Sequence, residues 1–553
     1  MVDEKISWRG HLLALALYTT LSFLLIAHGA SPTQTVYGQG SDPFAFIWFL
    51  RWWPWAVMHH LNPLYANLIW HPAGIDLAWT TSIPFLALLA APVTLTGGPV
   101  LAYNMLTILA PILAGLSAYA LGLYIVKRLV AAILCGLFYG FSTYEMSETL
   151  AHLNLDFNAA VPCLLLIVLV RLDSRFNRRW ASGLAALLLA MQFYISMEFA
   201  ATSLLFGGIG WAFALLLLPA RRAALRRLVV DGLLTGILTA VLVSPLLWNI
   251  FMVPRGVKIP IGWSYLSAGH LYNLFVTTPQ VVLSNPNFPA TDKNWLGHYP
   301  QYDFTTGLPI VVIIFWFLWR NWRKPDTRLL GYMLCVIALA SLGPELWIGS
   351  HFSGIVMPWH MMLRLPLINS ALPVRFTLYT SLLIAIIMVR TVATVPHRSW
   401  RAVVVGLAWL VTLASPHPVM RAPFVDFFRP GQMQTVLGLQ PHVLILPGAA
   451  VDETSFWQAQ NHFGFIQSTG YVGMPPLAMV HYAAVIDLMF NLNPPTLASD
   501  IDVFCHAVGT NFVLAGPGVR PELERAMVRL SWPSRRVDGV QIFTVPRGGA
   551  VHG

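Results

Sequence analysis

One carboxylate stands at the start of an aromatic-rich run, SDPFAFIWFLRWWPWAVMHH, residues 41–60. This acid is Asp42, and a carboxylate in such a place could orient or deprotonate a hydroxyl group as a general base. Asp42 is followed by Pro43, and Asp before Pro is also a strong start signal for a helix, with the Asp side chain as its cap. The sequence leaves both roles open, and they do not exclude each other.

A second set of titratable residues lies in STYEMSETLAHLNLD, residues 142–156. Glu145, Glu148, His152 and Asp156 are separated by three, four and four positions, so a helix would place them on one face. Such a cluster could act as a general base, bind a metal ion or donate and accept hydrogen bonds, and a solvated polar face is the alternative. Glu198 lies in an otherwise apolar run, where an ionisable group is costly and usually functional, although a position at the membrane interface would also explain it.

Six basic residues outside the basic clusters that flank the apolar runs are candidates for binding an anion: Arg51, Arg255, Lys258, Lys293, Arg364 and Arg375. Four of them, Arg255, Lys258, Arg364 and Arg375, are the candidates for binding a phosphate. Guanidinium groups suit the bidentate capture of phosphate, so the group favours an anionic ligand, while each residue singly could be a surface cation. The chain has no Walker A sequence, no HExxH, no GxSxG and no paired CxxC. An ATP-driven pump and a zinc protease are therefore disfavoured.

The elements that must position these residues are membrane spans. The chain of 553 residues is 57% hydrophobic and 10% charged, with a mean hydropathy of +0.65, whereas about a quarter of residues are charged in soluble domains. Long apolar runs predict a polytopic α-helical membrane protein rather than a barrel. About half of the 33 Lys and Arg residues lie in short clusters beside apolar runs. Such clusters set the orientation of a protein in the membrane, so the net charge of +10 does not indicate nucleic-acid binding.

Placing the basic clusters in the cytoplasm predicts eleven spans, with the N-terminus inside and the C-terminus outside. If residues 82–98 were a full span, Lys127 and Arg128 would lie outside, so we interpret this apolar stretch as a re-entrant or interfacial segment. The expected count is therefore 11–13 transmembrane helices. The predicted spans are 11–28, 99–126, 129–143, 157–172, 181–198, 203–219, 228–250, 306–320, 328–345, 371–391 and 402–416. The remaining titratable residues then concentrate on the outer face.

Two further elements are expected outside the membrane. Residues 43–60 predict a juxtamembrane helix whose tryptophans lie among lipid headgroups, within a transmembrane domain of residues 1–417. Residues 418–553 predict a small extracytoplasmic α/β domain, because β-like runs at 442–447, 510–516 and 540–546 alternate with a helical segment at 521–530.

The order of these motifs resembles the GT-C superfamily of polytopic glycosyltransferases. The resemblance rests on GSDP, the stretch from LSAYALGLYIVKRLV to LAHLNLD, QFYISMEFAAT, LGPELW, PWHMMLRLPLINSALPVRF and FWQAQNHFGFIQSTGYVGMPP. It implies that the first-loop acid, Asp42, is the catalytic base or orients the acceptor. The second-loop acid would be Asp156, Glu145 or Glu148. The loop lacks the acid pair of oligosaccharyltransferases, so no cofactor is certain and a divalent metal ion stays an open alternative.

The resemblance implies a glycosyltransferase that moves a sugar from a polyprenyl-phosphate donor to an acceptor hydroxyl, with inversion at the anomeric carbon. We expect the reaction at the outer face of a bacterial cytoplasmic membrane, with a glycan, lipid or protein as acceptor and no nucleic acid as partner. The alternatives are a transporter or flippase for a lipid-linked saccharide, and a non-catalytic envelope-assembly protein. Transporters commonly show internal repeats, and this sequence shows none.

Overall fold

The computed structural model describes residues 7–253, 256, 262–271, 281–283, 306–348, 351–365, 368–393, 400–448 and 453–546. Its helices, in chain order, are α1 (Trp8–Ser22), α2 (Asp42–Met58), α3 (Pro84–Leu89), α4 (Ala91–Gly97), α5 (Pro99–Val126), α6 (Leu129–Gly140), α7 (Thr143–Glu148), α8 (Leu153–Asp156), α9 (Ala160–Leu172), α10 (Arg178–Ile195), α11 (Met197–Leu217), α12 (Arg222–Leu242), α13 (Ser244–Met252), α14 (Gly262–Leu266), α15 (Leu308–Asn321), α16 (Pro325–Ser341), α17 (Thr377–Ala393), α18 (Trp400–Val411), α19 (Gln432–Leu437), α20 (Thr454–Gln460), α21 (Ala483–Met489), α22 (Leu497–Val508) and α23 (Pro521–Arg529).

The strands are short, and most of them lie towards the C-terminus. They are β1 (Thr35–Tyr37), β2 (Tyr65–Ala66), β3 (Ile75–Asp76), β4 (Glu345–Ile348), β5 (His351–Val356), β6 (Val419–Arg421), β7 (His442–Leu446), β8 (Ile466–Gln467), β9 (Phe512–Ala515), β10 (Ser534–Val537) and β11 (Val540–Thr544).

Two compact units emerge from the contacts within the chain. Unit 1 consists of Met1–Ala30, Met105–Ser244 and Pro260–Pro418, and unit 2 consists of Ser31–Asn104, Pro245–Ile259 and Val419–Gly553. Residues 31–81, which the sequence predicts to lie on the outer face and which we call the first outer segment, thus belong to the same unit as the C-terminal residues. This grouping is absent from the division into 1–417 and 418–553. That division into two domains stays a prediction.

Each of the eleven predicted spans overlaps at least one helix in the described part of the chain, and span 228–250 extends over both α12 and α13. Six helices there are long and apolar enough to cross a membrane, and a bent pair, Pro219–Leu242 with Ser244–Met252, raises the number to seven if it is one span. Shorter apolar helices occupy Leu308–Asn321 and Trp400–Val411. The chain is therefore a multi-pass α-helical membrane protein. Residues 82–98 form only the short helices α3 and α4, each too short to span a bilayer.

Unit 1 is a helical bundle in which small residues allow two helices, α5 and α6, to pack closely. A Cβ atom on Gly140 of α6 would lie 2.3 Å from the backbone nitrogen of Gly115 on α5, so glycine is needed for these helices to pack. Without a hydrophobic driving force between helices in lipid, such close backbone packing is a main source of association. α6 also packs against α17, and α10 packs against α9, α11 and α12.

Unit 2 contains a five-stranded sheet with the order β10-β11-β9-β7-β8. β8, β7 and β9 are parallel, and the β9-β11-β10 edge is antiparallel. Strand β7, which lies between β9 and β8, is buried throughout. The predicted strands and the helix at 521–530 are confirmed, so the chain has the expected C-terminal α/β region. β1 pairs with β6, which joins the first outer segment to the C-terminal residues.

The predicted role of the tryptophans in residues 43–60 as headgroup anchors is wrong. The expected helix is present as α2, but Trp48 and Trp52 are fully buried and stack on each other at 5.2 Å between ring centroids. Their indole nitrogens donate hydrogen bonds to Gln458 Oε1 and to the Pro63 carbonyl. The aromatic face of α2 therefore packs on α20 inside unit 2, where burial of large rings stabilises the unit.

Candidate active site

Asp42 lies at the first position of α2 and is held by a hydrogen bond from the C-terminal part of unit 2. The hydroxyl of Tyr471 donates to Asp42 Oδ1 at 2.5 Å, and both residues are partly exposed. Ser41, rather than Asp42, occupies the cap position of the helix. A carboxylate in the first turn is also favoured by the helix dipole. Asp42 is thus a fixed, accessible acid, and capping does not account for its position.

The loop that carries Tyr471 is anchored at its base. At the end of β8, the backbone nitrogen of Gln467 donates to the Leu68 carbonyl, and the Gln467 carbonyl accepts from the His71 nitrogen. The next residue, Ser468, is buried, and its hydroxyl lies 3.0 Å from His442 Nε2 and 2.7 Å from Thr510 Oγ1. The loop is therefore bonded to β7, to the start of β9 and to the first outer segment.

The acids of residues 142–156 are buried, so they do not form a solvated face. Glu145 is 1% exposed, and its Oε2 accepts a hydrogen bond from Asn158 Nδ2 at 2.5 Å. Glu148 is 2% exposed and pairs with His152 Nδ1 at 2.6 Å. Ser142 begins α7 by accepting a hydrogen bond from the Glu145 nitrogen, which sets the direction of this short helix.

Asp156 is the least compensated acid of this group. It is 1% exposed, and in the described part of the chain neither carboxylate oxygen has a side-chain hydrogen-bond partner. A buried carboxylate without a partner is costly, and such groups concentrate at functional sites. Among the described residues, no three His, Cys, Asp or Glu side chains are arranged to hold a metal ion. The role of these acids therefore stays a prediction.

Glu198 and Arg375 form a salt bridge within unit 1. Arg375 donates from its guanidinium to Glu198 Oε2 at 2.5 Å, and the Leu372 nitrogen donates to Oε1 at 2.9 Å. The side chains are 14% and 16% exposed. Glu148 is also within electrostatic range of Arg375. Arg375 is thus already paired with a carboxylate, and it would bind a phosphate only through its remaining N–H groups.

Of the other three predicted phosphate-binding residues, the described part of the chain includes one. Arg364 ends a short 3-10 helix, Pro358–Arg364, and is exposed. Arg255 and Lys258 lie outside the described residues. The assignment of these cations to a donor phosphate remains a prediction.

A buried histidine, His417, contacts the residue that follows α7, and no local sequence pattern predicts this contact. Nε2 of His417 lies 2.7 Å from Thr149 Oγ1, and the His417 carbonyl lies 2.8 Å from His28 Nε2. Burial lowers the pKa of His417 to about 4, so the ring is neutral at physiological pH. Tyr471 was missed in the same way, because a separation of 429 positions from Asp42 leaves no spacing signal.

Solved membrane glycosyltransferases share this fold. The arabinofuranosyltransferase AftD from Mycobacteria matches 98% of the chain with a TM-score of 0.61 and 14% identity, and a second structure of AftD matches 99% with a TM-score of 0.53 and 13% identity. The archaeal oligosaccharyltransferase AglB from Archaeoglobus fulgidus, solved with an inhibitory peptide and a dolichol-phosphate, matches 98% with a TM-score of 0.48 and 12% identity, over 75% of its own length. The sequence matches no protein-family model and no curated protein.

These comparisons define the class of the fold. The chain has the GT-C fold expected from its motifs, and it spans 42% of the length of AftD. At 12 to 14% identity the likeness concerns architecture, because one fold supports many functions and function resides in the site.

Proposed function

We propose that this protein is a GT-C glycosyltransferase that moves a sugar from a polyprenyl-phosphate donor to an acceptor hydroxyl, with inversion. The observation that carries the proposal is Asp42, an accessible carboxylate held by Tyr471 at the start of α2 in a chain with the GT-C fold. The donor class comes from the GT-C resemblance, and the similarity to an arabinofuranosyltransferase makes a pentofuranose one sugar to test first.

In the proposed reaction, Asp42 accepts the proton of the acceptor hydroxyl. The acceptor oxygen forms a bond to the anomeric carbon on the face opposite the phosphate. The bond between that carbon and the phosphate oxygen breaks, and polyprenyl phosphate leaves with the electron pair. A positioned general base is worth about 10²- to 10⁴-fold in rate. Because phosphate is a good leaving group, no general acid is needed.

Basic side chains would stabilise the charge that develops on the departing phosphate. The candidates are Arg255, Lys258, Arg364 and Arg375, and fixed cations near a leaving group lower the barrier because they need no reorganisation. The second set of acids, Glu145, Glu148 and Asp156, would order the polar part of a substrate through hydrogen bonds. We place the reaction at the outer face of the cytoplasmic membrane of a bacterium, as the distribution of basic residues predicts.

The test is discharge of a labelled donor by the full chain in lipid nanodiscs. Polyprenyl-phosphate donors that carry a pentofuranose or a hexopyranose would be supplied with octyl glycosides as acceptors, and released polyprenyl phosphate would be measured. We expect discharge by the wild type and a loss of about 10²- to 10⁴-fold in Asp42→Asn. Asp538→Asn, on an exposed turn of unit 2, is the control and should retain full activity.

The outcomes separate the proposal from its rivals. Undiminished transfer by Asp42→Asn would contradict the role of Asp42. No discharge of any donor by the wild type, together with movement of the intact donor across the bilayer, would favour a flippase.

A further inference from the structure

We infer that Tyr471 is a positioning residue for Asp42, and that the C-terminal sheet serves to hold the acid of the first outer segment. The inference rests on the proposed function, since it concerns the same acid. A positioning residue acts through another group, so Tyr471 itself need not touch a substrate.

The first step is the contact itself. A tyrosine hydroxyl that donates to a carboxylate forms a charge-assisted hydrogen bond, which is about twice as strong as a neutral one and restricts the rotation of the acid. Asp42 is the first residue of α2, and Tyr471 lies in a different element. A bond from a separate element therefore removes freedom that the helix alone would leave.

The second step is the rigidity of the element that carries Tyr471. Gly470 has φ +148°, and a Cβ atom there would lie 2.5 Å from Ile69 Cδ1, so the chain must turn closely over the first outer segment. Gly473 has φ +126°, and a Cβ atom there would lie 3.0 Å from Thr80 Cγ2. Tyr471 is thus bracketed by two close approaches that glycine permits.

The third step is the connection to the sheet. The Ser468 nitrogen donates to the Val443 carbonyl, and its hydroxyl contacts His442 and Thr510. These partners lie at the start of β7 and before β9, so the hydrogen bonds run from the sheet through Ser468 and the loop to Tyr471 and Asp42. Positioned groups of this kind raise the rate by fixing a near-attack geometry, which small displacements destroy.

The experiment combines Tyr471→Phe with Asp42→Asn in a double-mutant cycle. In the nanodisc assay we expect Tyr471→Phe to lower kcat about 10- to 100-fold and to change the acceptor KM less than threefold, because orientation and not binding is lost. Adding Tyr471→Phe to Asp42→Asn should cost nothing further in kcat. Tyr65→Phe is the matched control, since it removes a 2.6 Å bond to the Ala73 carbonyl in the same unit and should leave kcat unchanged.

Additive losses in the cycle, or an equal loss in Tyr65→Phe, would overturn the inference and leave the proposed function standing. If the wild type discharges no donor, the proposed function fails, and thermal unfolding decides the inference alone. Coupling between Asp42→Asn and Tyr471→Phe in the unfolding midpoint would then support the fixed contact. If the shifts of the unfolding midpoint in the two single variants simply added in the double variant, the fixed contact between Tyr471 and Asp42 would be refuted.

Discussion

The two units hold their acids by different means. In unit 1, Glu198 is paired with the guanidinium of Arg375, while Glu145 and Asp156 are buried with incomplete hydrogen bonding. In unit 2, Asp42 is partly exposed and is held by the neutral hydroxyl of Tyr471. The Tyr471 hydroxyl carries no charge, and it orients the carboxylate that we propose as the proton acceptor.

The difference shows why burial and paired charge do not by themselves identify a catalytic base. In a salt bridge such as that of Glu198, the carboxylate is already occupied by its partner, and replacing one residue of the pair leaves the other with an uncompensated charge. A hydroxyl that donates to an accessible carboxylate orients it and favours its ionised form, which is the form that can accept a proton. Two expectations follow. Ion pairs between buried residues should stabilise unit 1, whereas hydrogen bonds from neutral groups should hold the side chains of unit 2 in place.

The largest expected effect is on the salt bridge of unit 1. Arg375→Met should destabilise the protein by about 3 kcal/mol, because it leaves Glu198 with an uncompensated charge at 16% exposure. Thermal unfolding in nanodiscs would measure this. Arg390→Met is the control, since its partner Asp326 is 48% exposed and such pairs contribute about 0 to 1 kcal/mol. Equal shifts in the two variants would contradict a special role for buried charge in unit 1.

Acidification should destabilise unit 2 at the contact between His442 and Ser468, which holds the loop that carries Tyr471. Burial, and then the neighbouring His71, lowers the pKa of His442 to about 4, whereas the unfolded imidazole has its ordinary value of about 6.5. The unfolded state then binds the proton more readily, so the His442 contribution is intact above about pH 6.5 and is lost as the pH falls towards 4. At pH 5 the expected cost is about 2 kcal/mol.

Unfolding midpoints measured between pH 7 and 5 would show this loss. His442→Gln should flatten part of the pH dependence, and His481→Gln, at an exposed position, should not. If the unfolding midpoint of His442→Gln changed with pH as steeply as that of the wild type, the neutral His442 ring would not contribute to holding this loop.

The aromatic packing of α2 depends on a buried amide. Gln458→Leu should cost about 2 kcal/mol, because the buried Trp48 indole nitrogen loses its acceptor, while the Leu68 carbonyl keeps only the bond from the Gln467 nitrogen. The measurement is again the unfolding midpoint. Gln432→Leu, which removes an exposed 3.1 Å bond to Asp538, should change stability by less than about 0.5 kcal/mol. A negligible shift in Gln458→Leu would argue against burial of this helix face.

The smallest expected effect has the opposite sign. Asp156→Asn should raise stability by about 1 kcal/mol, since it removes a buried charge without a compensating side chain. Asp231→Asn should lower stability, because Asp231 pairs with Arg171 and Arg178 at 2.8 and 2.6 Å. If Asp156→Asn also lowered the midpoint, Asp156 would have a charged partner, and the contrast between the units would shrink. A simultaneous fall in donor discharge would support its role in substrate binding.

Local sequence signals predicted the elements well. The apolar runs gave the positions of the spanning helices, and HVLILP, TNFVLAG and VQIFTVP gave β7, β9 and β11. These signals depend on composition and periodicity over a few residues, which a single sequence contains. The tryptophans of α2 were misassigned because burial in a core and contact with lipid favour the same side chains.

The sequence by itself determined the membrane class, the positions of most helices and strands, and Asp42 as a candidate acid, since each depends on neighbouring residues. Only the tertiary structure decided what holds each acid. Tyr471 reaches Asp42 across 429 positions, Arg375 reaches Glu198 across 177, and the grouping of the first outer segment with the C-terminal strands follows from long-range pairing. Such contacts are fixed by packing of distant segments, and no local pattern in a single chain encodes which distant segments meet.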